Sequence, residues 1–214
     1  MVKRWSRREM LKRAAVAGAV GAVPARALAQ AEPAERYANL TAAQGATLEA
    51  IVARLIPSDA SGPGALEAGA ARYIDRALGD ALARWRDAYS AGLAATEAYA
   101  RRAAGKPFTE LSADRQDSVL RDVEQNVATG FTPNSATFFE LVLGHTLEGT
   151  FGDPHYGGNR DFVGWELIGY PGLRLAVTPE QQRMDARPEM TRLSAYDLPM
   201  FAADDGGHGD EHGH

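Results

Sequence analysis

Apolar residues recur along this chain at helical spacing, stretch after stretch, and no strand-like alternation of any length interrupts them. Leu48, Ile51, Val52, Leu55 and Ile56 fall at i, i+3, i+4, i+7 and i+8, one stripe of an amphipathic helix, with Thr41 as its N-cap and Pro57 as its stop. Pro57 through Gly64 is dense in Pro, Ser, Asp and Gly and reads as a loop. Leu66, Ala70, Tyr73, Ile74, Ala77 and Leu78 repeat the spacing in a second helix. Leu82, Trp85, Tyr89, Leu93, Thr96 and Tyr99 form the seam of a longer third, ended by Gly105-Lys106-Pro107. Ser112 caps a fourth, with Val119, Leu120, Val123 and Val127 on its inner side. Pro133-Asn134-Ser135 opens a fifth, whose Phe138, Phe139, Leu141, Val142, Leu143 and Leu147 make it apolar nearly all round and predict a central position. The expectation is an all-α protein: a compact helical bundle of about five main helices, a long glycine- and aromatic-rich C-terminal loop region, and an extended tail.

The N-terminus reads as an address. Ser6-Arg7-Arg8-Glu9-Met10-Leu11-Lys12 precedes the uncharged stretch Ala14 to Pro24 and the small-residue pattern Ala27-Leu28-Ala29. This resembles a twin-arginine export signal, with Arg7 and Arg8 as the arginine pair and Ala27 and Ala29 at the cleavage pattern. Met10 stands where such signals more often carry Phe, and it keeps the position apolar. About ten apolar residues are too few to cross a bilayer core, which needs about twenty. The implied location is the periplasm, with the outer face of the cytoplasmic membrane reached through partners. The expected organisation is a signal over 1–29, a linker over 30–40, a helical domain over 41–173, an extended arm over 174–203 and a His/Asp/Gly-rich tail over 204–214.

Charge follows the same division. Residues 1–29 hold seven basic residues against Glu9 alone, so of the net charge of −5 that segment carries +6 and the remainder −11. An acidic body of that size repels phosphate backbones, which disfavours nucleic acid as a partner. The chain has no cysteine, which removes disulfides, Fe–S ligation, zinc-thiolate sites and covalent c-type haem attachment. No glycine-rich dinucleotide fingerprint follows a strand, and there is no nucleophile elbow.

The chain changes character at Gly149. Gly149 to Asn159 is glycine-dense and aromatic, and Phe162 to Pro171 continues with Trp165, Ile168, Gly169 and Tyr170. Glycines at 149, 152, 157 and 158 imply positive φ or a close approach, and Asp153-Pro154 starts a turn. Such a segment is either a plug packed on the end of the bundle or a recognition surface. His145 and Glu148, at i and i+3, share a helix face, with Asp153 and His155 close behind. They read either as a metal site or acid/base pair, or as a core histidine bonded to Glu148 or a loop amide. The tail Asp204 to His214 has the composition of a loose metal binder or of a solvated terminus, and Pro179 to Pro199 could wrap a partner as an arm.

His145-Thr146-Leu147-Glu148-Gly149, Asp153-Pro154-His155-Tyr156-Gly157-Gly158-Asn159 and Gly164-Trp165-Glu166-Leu167-Ile168-Gly169-Tyr170-Pro171-Gly172 resemble the signature of the gluconate 2-dehydrogenase subunit 3 family. Leu55-Ile56-Pro57, Pro63 to Gly69 and Tyr73-Ile74-Asp75 are similar to its first half, so the likeness runs from about Leu48 to Leu173. The resemblance implies a non-catalytic small subunit of a periplasmic, membrane-associated, FAD-dependent sugar or sugar-acid dehydrogenase. Such a subunit serves assembly, stability and twin-arginine export of a larger flavoprotein of the glucose-methanol-choline type, often alongside a multihaem cytochrome c subunit. FAD and haem c would then belong to the partners, with no cofactor, metal or catalytic residue in this chain. His145, Glu148, Gly149, Asp153, Pro154, His155, Tyr156, Gly157, Gly158, Asn159, Trp165, Gly169, Tyr170 and Pro171 are the motif residues expected to form the partner interface or to build its structure. The alternatives are a free-standing periplasmic metal-dependent enzyme using His145, Glu148 and His155, and a helical scaffold for an unrelated partner.

Overall fold

The computed structural model describes residues 37–201. The export signal with Arg7, Arg8, Ala27 and Ala29, most of the linker, and the His-rich tail lie outside the described residues. Among the described residues there are six α-helices and no strand: α1 (Ala42–Leu55), α2 (Ala70–Ala77), α3 (Arg86–Ala104), α4 (Ala113–Glu124), α5 (Ser135–Phe151) and α6 (Val163–Ile168). None is long and apolar enough to cross a membrane.

α1 begins in a capping box. The Thr41 hydroxyl accepts from the Gln44 amide at 3.2 Å, and the Thr41 amide donates to Gln44 Oε1 at 2.9 Å, so two of the orphan donors at the helix start are satisfied. Immediately before it, the amides of Ala38, Asn39 and Leu40 all donate to the Asp75 carboxylate, at 2.7, 2.9 and 2.9 Å. Residues 37–40, expected as the end of a linker, are therefore built into the domain, with Leu40 buried. α3 stops at Gly105, which takes the left-handed conformation at φ 74°.

α5 is central, as its composition predicted, and touches α1, α2, α3, α4 and α6. Leu48, Ile51 and Val52 of α1, Ile74 of α2, Tyr89 and Leu93 of α3, Val119 and Val123 of α4, and Phe138 and Val142 of α5 meet in one core. The inward stripe of α5 differs from the expected one. It consists of Ser135, Phe138, Val142, His145, Thr146, Gly149 and Thr150, whereas Leu147 is exposed. Thr146 and Thr150 can face the core because each hydroxyl donates to the carbonyl four residues earlier, both at 2.7 Å, and so enters the interior already bonded.

Two other expected core positions move outward. Leu66 precedes α2 in a turn and is exposed, because Gly69 takes φ 78° and the helix begins only at Ala70. Val127 lies beyond the end of α4, where Asn126 at φ 60° turns the chain, and it too is exposed.

Candidate partner-binding site

The segment expected as a loop from Gly149 onward is largely helical. α5 runs through Gly149 to Phe151, tight turns follow at Pro154–Tyr156 and Arg160–Phe162, and α6 closes the segment. Gly149 is inside the helix because α2 crosses there: a Cβ at Gly149 would stand 2.8 Å from Tyr73 Cδ1 and 2.9 Å from Ala70 Cα. The next turn of chain then lies on Gly149 itself, since its carbonyl accepts the Asn159 amide at 2.7 Å and any side chain at Gly158 would strike it. Of the four glycines expected to need positive φ or a close approach, Gly157 has positive φ, at 90°, and Gly149, Gly152 and Gly158 sit where a Cβ would strike neighbouring atoms. Besides Gly169 at φ 66°, which ends α6, the other left-handed positions from Gly149 to the end of α6 are Asn159, Asp161 and Phe162.

Asn159 is the staple of this knot. It is fully buried at φ 42°, its Nδ2 donates to the Gly152 carbonyl at 2.8 Å, and its Oδ1 accepts the Gly164 amide at 2.8 Å. One side chain thus ties the end of α5 to the first turn of α6. Trp165 Nε1 adds a bond to the Phe151 carbonyl at 2.9 Å, and the indole is buried against Phe162 and Tyr170. The Arg160 amide donates to the Ala68 carbonyl at 3.0 Å, which seats the knot on the Pro63–Gly69 turn. The early and late parts of the sequence motif are therefore in contact.

Outside this staple lies a second layer. Asp153 caps the Pro154 turn by accepting the His155 amide at 2.9 Å, and it also accepts Ser194 Oγ at 2.6 Å and the Ala195 amide at 3.0 Å. Burial alone would raise its pKa. The hydrogen bonds from Ser194 and from the two amides, with the nearby His155, outweigh burial and hold it below the usual carboxylate range. His155 stacks on Tyr196 at 3.6 Å between ring centroids, and the Tyr156 and Tyr196 hydroxyls bond at 2.8 Å. Tyr156 is 54% exposed, and Ile168, Gly169 and Tyr170 also lie on the surface, with Pro171 part-buried beside them.

The two readings of the segment thus divide between residues. Gly149, Gly158, Asn159 and Trp165 are packing, Asp153 is a junction, and His155, Tyr156 and Tyr170 are surface.

His145 and Glu148 part company as well. His145 is buried and bonds through Nδ1 to the Tyr89 hydroxyl at 2.9 Å, the rings lying nearly parallel, while Glu148 accepts from the Tyr73 hydroxyl at 3.0 Å. Burial lowers the His145 pKa, so the ring is neutral at pH 7. Burial and the Glu148 bond push Tyr73 up to about 12. With His155 committed to Tyr196, the trio His145, Glu148 and His155 does not converge on a point, and among the described residues no group of three His, Cys, Asp or Glu side chains could hold a metal ion. Sequence reasoning placed Tyr89 on a helix seam and Asp75 in a motif without their hydrogen-bonding roles, and it missed Ser194 and Tyr196. Asp75, charged beside the apolar Ile74, carried a signal for burial, while Ser194 and Tyr196 meet the knot from about forty residues away and left no local trace.

The described residues form a helical domain closed at one end by a stapled knot, its motif histidine and carboxylates turned to hydrogen bonds within the fold. The sequence matches the family model described as gluconate 2-dehydrogenase subunit 3 over residues 42–172, and the chain belongs to this family of dehydrogenase-complex subunits. No curated protein and no solved structure matches it.

Proposed function

We propose that this chain is the non-catalytic small subunit of a periplasmic, membrane-associated, FAD-dependent dehydrogenase of sugars or sugar acids, and that it stabilises the flavoprotein subunit and supplies its twin-arginine export signal in trans. The observation that carries the reading is the family match over residues 42–172. It is supported by the Arg7-Arg8 signal pattern and by the engagement of His145, Glu148 and Asp153 in bonds within the fold. FAD belongs to the flavoprotein, of the glucose-methanol-choline type, and haem c to a cytochrome subunit where the complex has one.

The physical logic is that a flavoprotein folded around FAD in the cytoplasm is carried through the twin-arginine pore by a chain bearing the address. Co-expression tests it. With this chain present, the flavoprotein reaches the periplasm active; with Arg7→Lys and Arg8→Lys it stays in the cytoplasm. Full periplasmic activity without this chain overturns the proposal.

A further inference from the structure

Among the described residues, nine of the twelve exposed large apolar side chains lie between Tyr156 and Phe201, and only Leu66, Val127 and Leu147 come from the longer stretch before them. Six of the nine sit on residues 174–201, just past the end of the family match at 172. Met184, for example, is 99% exposed.

Polar atoms hold this arm down. The Thr191 amide donates to the Pro171 carbonyl at 2.8 Å, Arg192 pairs with Glu166 and donates to the Asp161 carbonyl, and Asp153 takes Ser194 and Ala195. A segment folding for its own stability buries its apolar side chains and leaves its polar ones in water. This arm is pinned by polar groups while Leu175, Val177, Leu193, Met200 and Phe201 are turned outward. Exposed apolar side chains gathered on one short segment are the kind of surface a protein contact covers.

Resting on the assembly role above, we propose that the arm is a strap that grips the dehydrogenase subunit, that Asp153 positions it, and that His155, Tyr156 and Tyr196 form a composite contact which exists only while the strap is latched. Charge selects this occupant. Over residues 174–201, four arginines balance four carboxylates, so the strap has no net charge to draw it to an anionic membrane or nucleic acid. Two copies of this chain, each carrying −11 outside its N-terminal segment, repel one another on approach. A partner subunit that supplies apolar surface without that charge meets neither obstacle.

The test uses the full chain, tagged and co-expressed with its dehydrogenase subunit, and reads the amount of dehydrogenase that co-purifies. Tyr196→Ala, which removes both the stacking on His155 and the bond to Tyr156, lowers recovery at least tenfold. Asp153→Asn lowers it too and hastens tryptic cleavage after Arg183 and Arg192 in the isolated chain. Val127→Ala is the control: Asn126 beside it bonds Ser135 at the start of α5, about 25 Å along that helix from the knot, and recovery is unchanged. Thermal midpoints of the isolated variants guard against unfolding. Recovery equal to wild type in a folded Tyr196→Ala variant overturns this inference and leaves the assembly role standing. A wild-type chain that retains no dehydrogenase overturns the assembly role itself. A wild-type dimer in light scattering that Tyr196→Ala dissolves assigns the strap to a second copy and overturns the occupant proposed.

Discussion

Replacing Asn159 with alanine should loosen the C-terminal knot more than any other single change to its polar groups. The substitution deletes the bonds to the Gly152 carbonyl and the Gly164 amide. An unsatisfied buried polar group costs about 1–3 kcal/mol. Alanine is also poorer than asparagine at φ 42°, because it lacks the short polar side chain that eases the left-handed conformation. Together the loss is about 2–6 kcal/mol, a large share of the roughly 5–15 kcal/mol that holds a domain folded. For a domain of this size that lowers Tm by about 10 °C.

Urea and thermal unfolding followed by circular dichroism measure it directly. Asn159→Gly separates the contributions, since it loses both bonds but accepts the backbone, and should fall between wild type and alanine. Asn159→Asp keeps an acceptor for Gly164 but sets a carboxylate oxygen against the Gly152 carbonyl, and should be no better than alanine. An Asn159→Ala variant within about 0.5 kcal/mol of wild type would refute the reasoning, because water or a backbone shift would then be satisfying those groups.

Asp75→Ala strands the amides of residues 38–40 and should cost about 2–4 kcal/mol in urea unfolding, with earlier proteolysis ahead of α1 as the local sign. The folded pKa of His145 lies below its unfolded value of 6.5, so its stability contribution is complete above that value and declines as pH falls below it. Urea midpoints should therefore drop from pH 7.5 to pH 5.5, and His145→Gln should flatten that slope; a slope unchanged in the variant refutes the assignment. Asp153 has its pKa lowered, so its contribution persists down to the usual carboxylate range and is lost only as pH falls through its folded value, outside the His145 window.

Where local chemistry sufficed, the fold was legible. Thr41 and Pro57 bracket α1, Gly105 ends α3, and the apolar run of Phe138 to Val142 lies in the centre. Reading failed where an interaction between distant segments replaced a local rule. The stretch Gly149-Thr150-Phe151 looks like the start of a loop by composition, yet it is helix, because α2 demands a residue without a side chain at Gly149 and because Thr150 bonds its own helix. Leu147 looks like core by hydropathy and is exposed, since His145, Thr146 and Gly149 occupy the inward stripe. Of the candidate site, the sequence singled out the motif residues but not which of them are buried and which are exposed. Trp165 reads as an interface anchor by residue type alone, and only its bond to Phe151 and its burial assign it to packing. Tyr196 had no motif around it, and its importance arises from Asp153, far away in the chain.

This division has an energetic consequence. Binding through flexible segments loses affinity to the ordering of side chains and loops, about 0.5–1.5 kcal/mol for each immobilised side chain. Here that ordering is done in advance by groups that face inward: Asn159 fixes the turn that carries His155 and Tyr156, and Asp153 brings Tyr196 to them. At the contact proposed above, these inward-facing residues act on affinity through the population of the latched surface. A knot loosened at Asn159 should bind with lower apparent affinity even though every surface side chain is intact, and the deficit should vanish as the loosened form is driven back to its folded geometry by stabilising solutes.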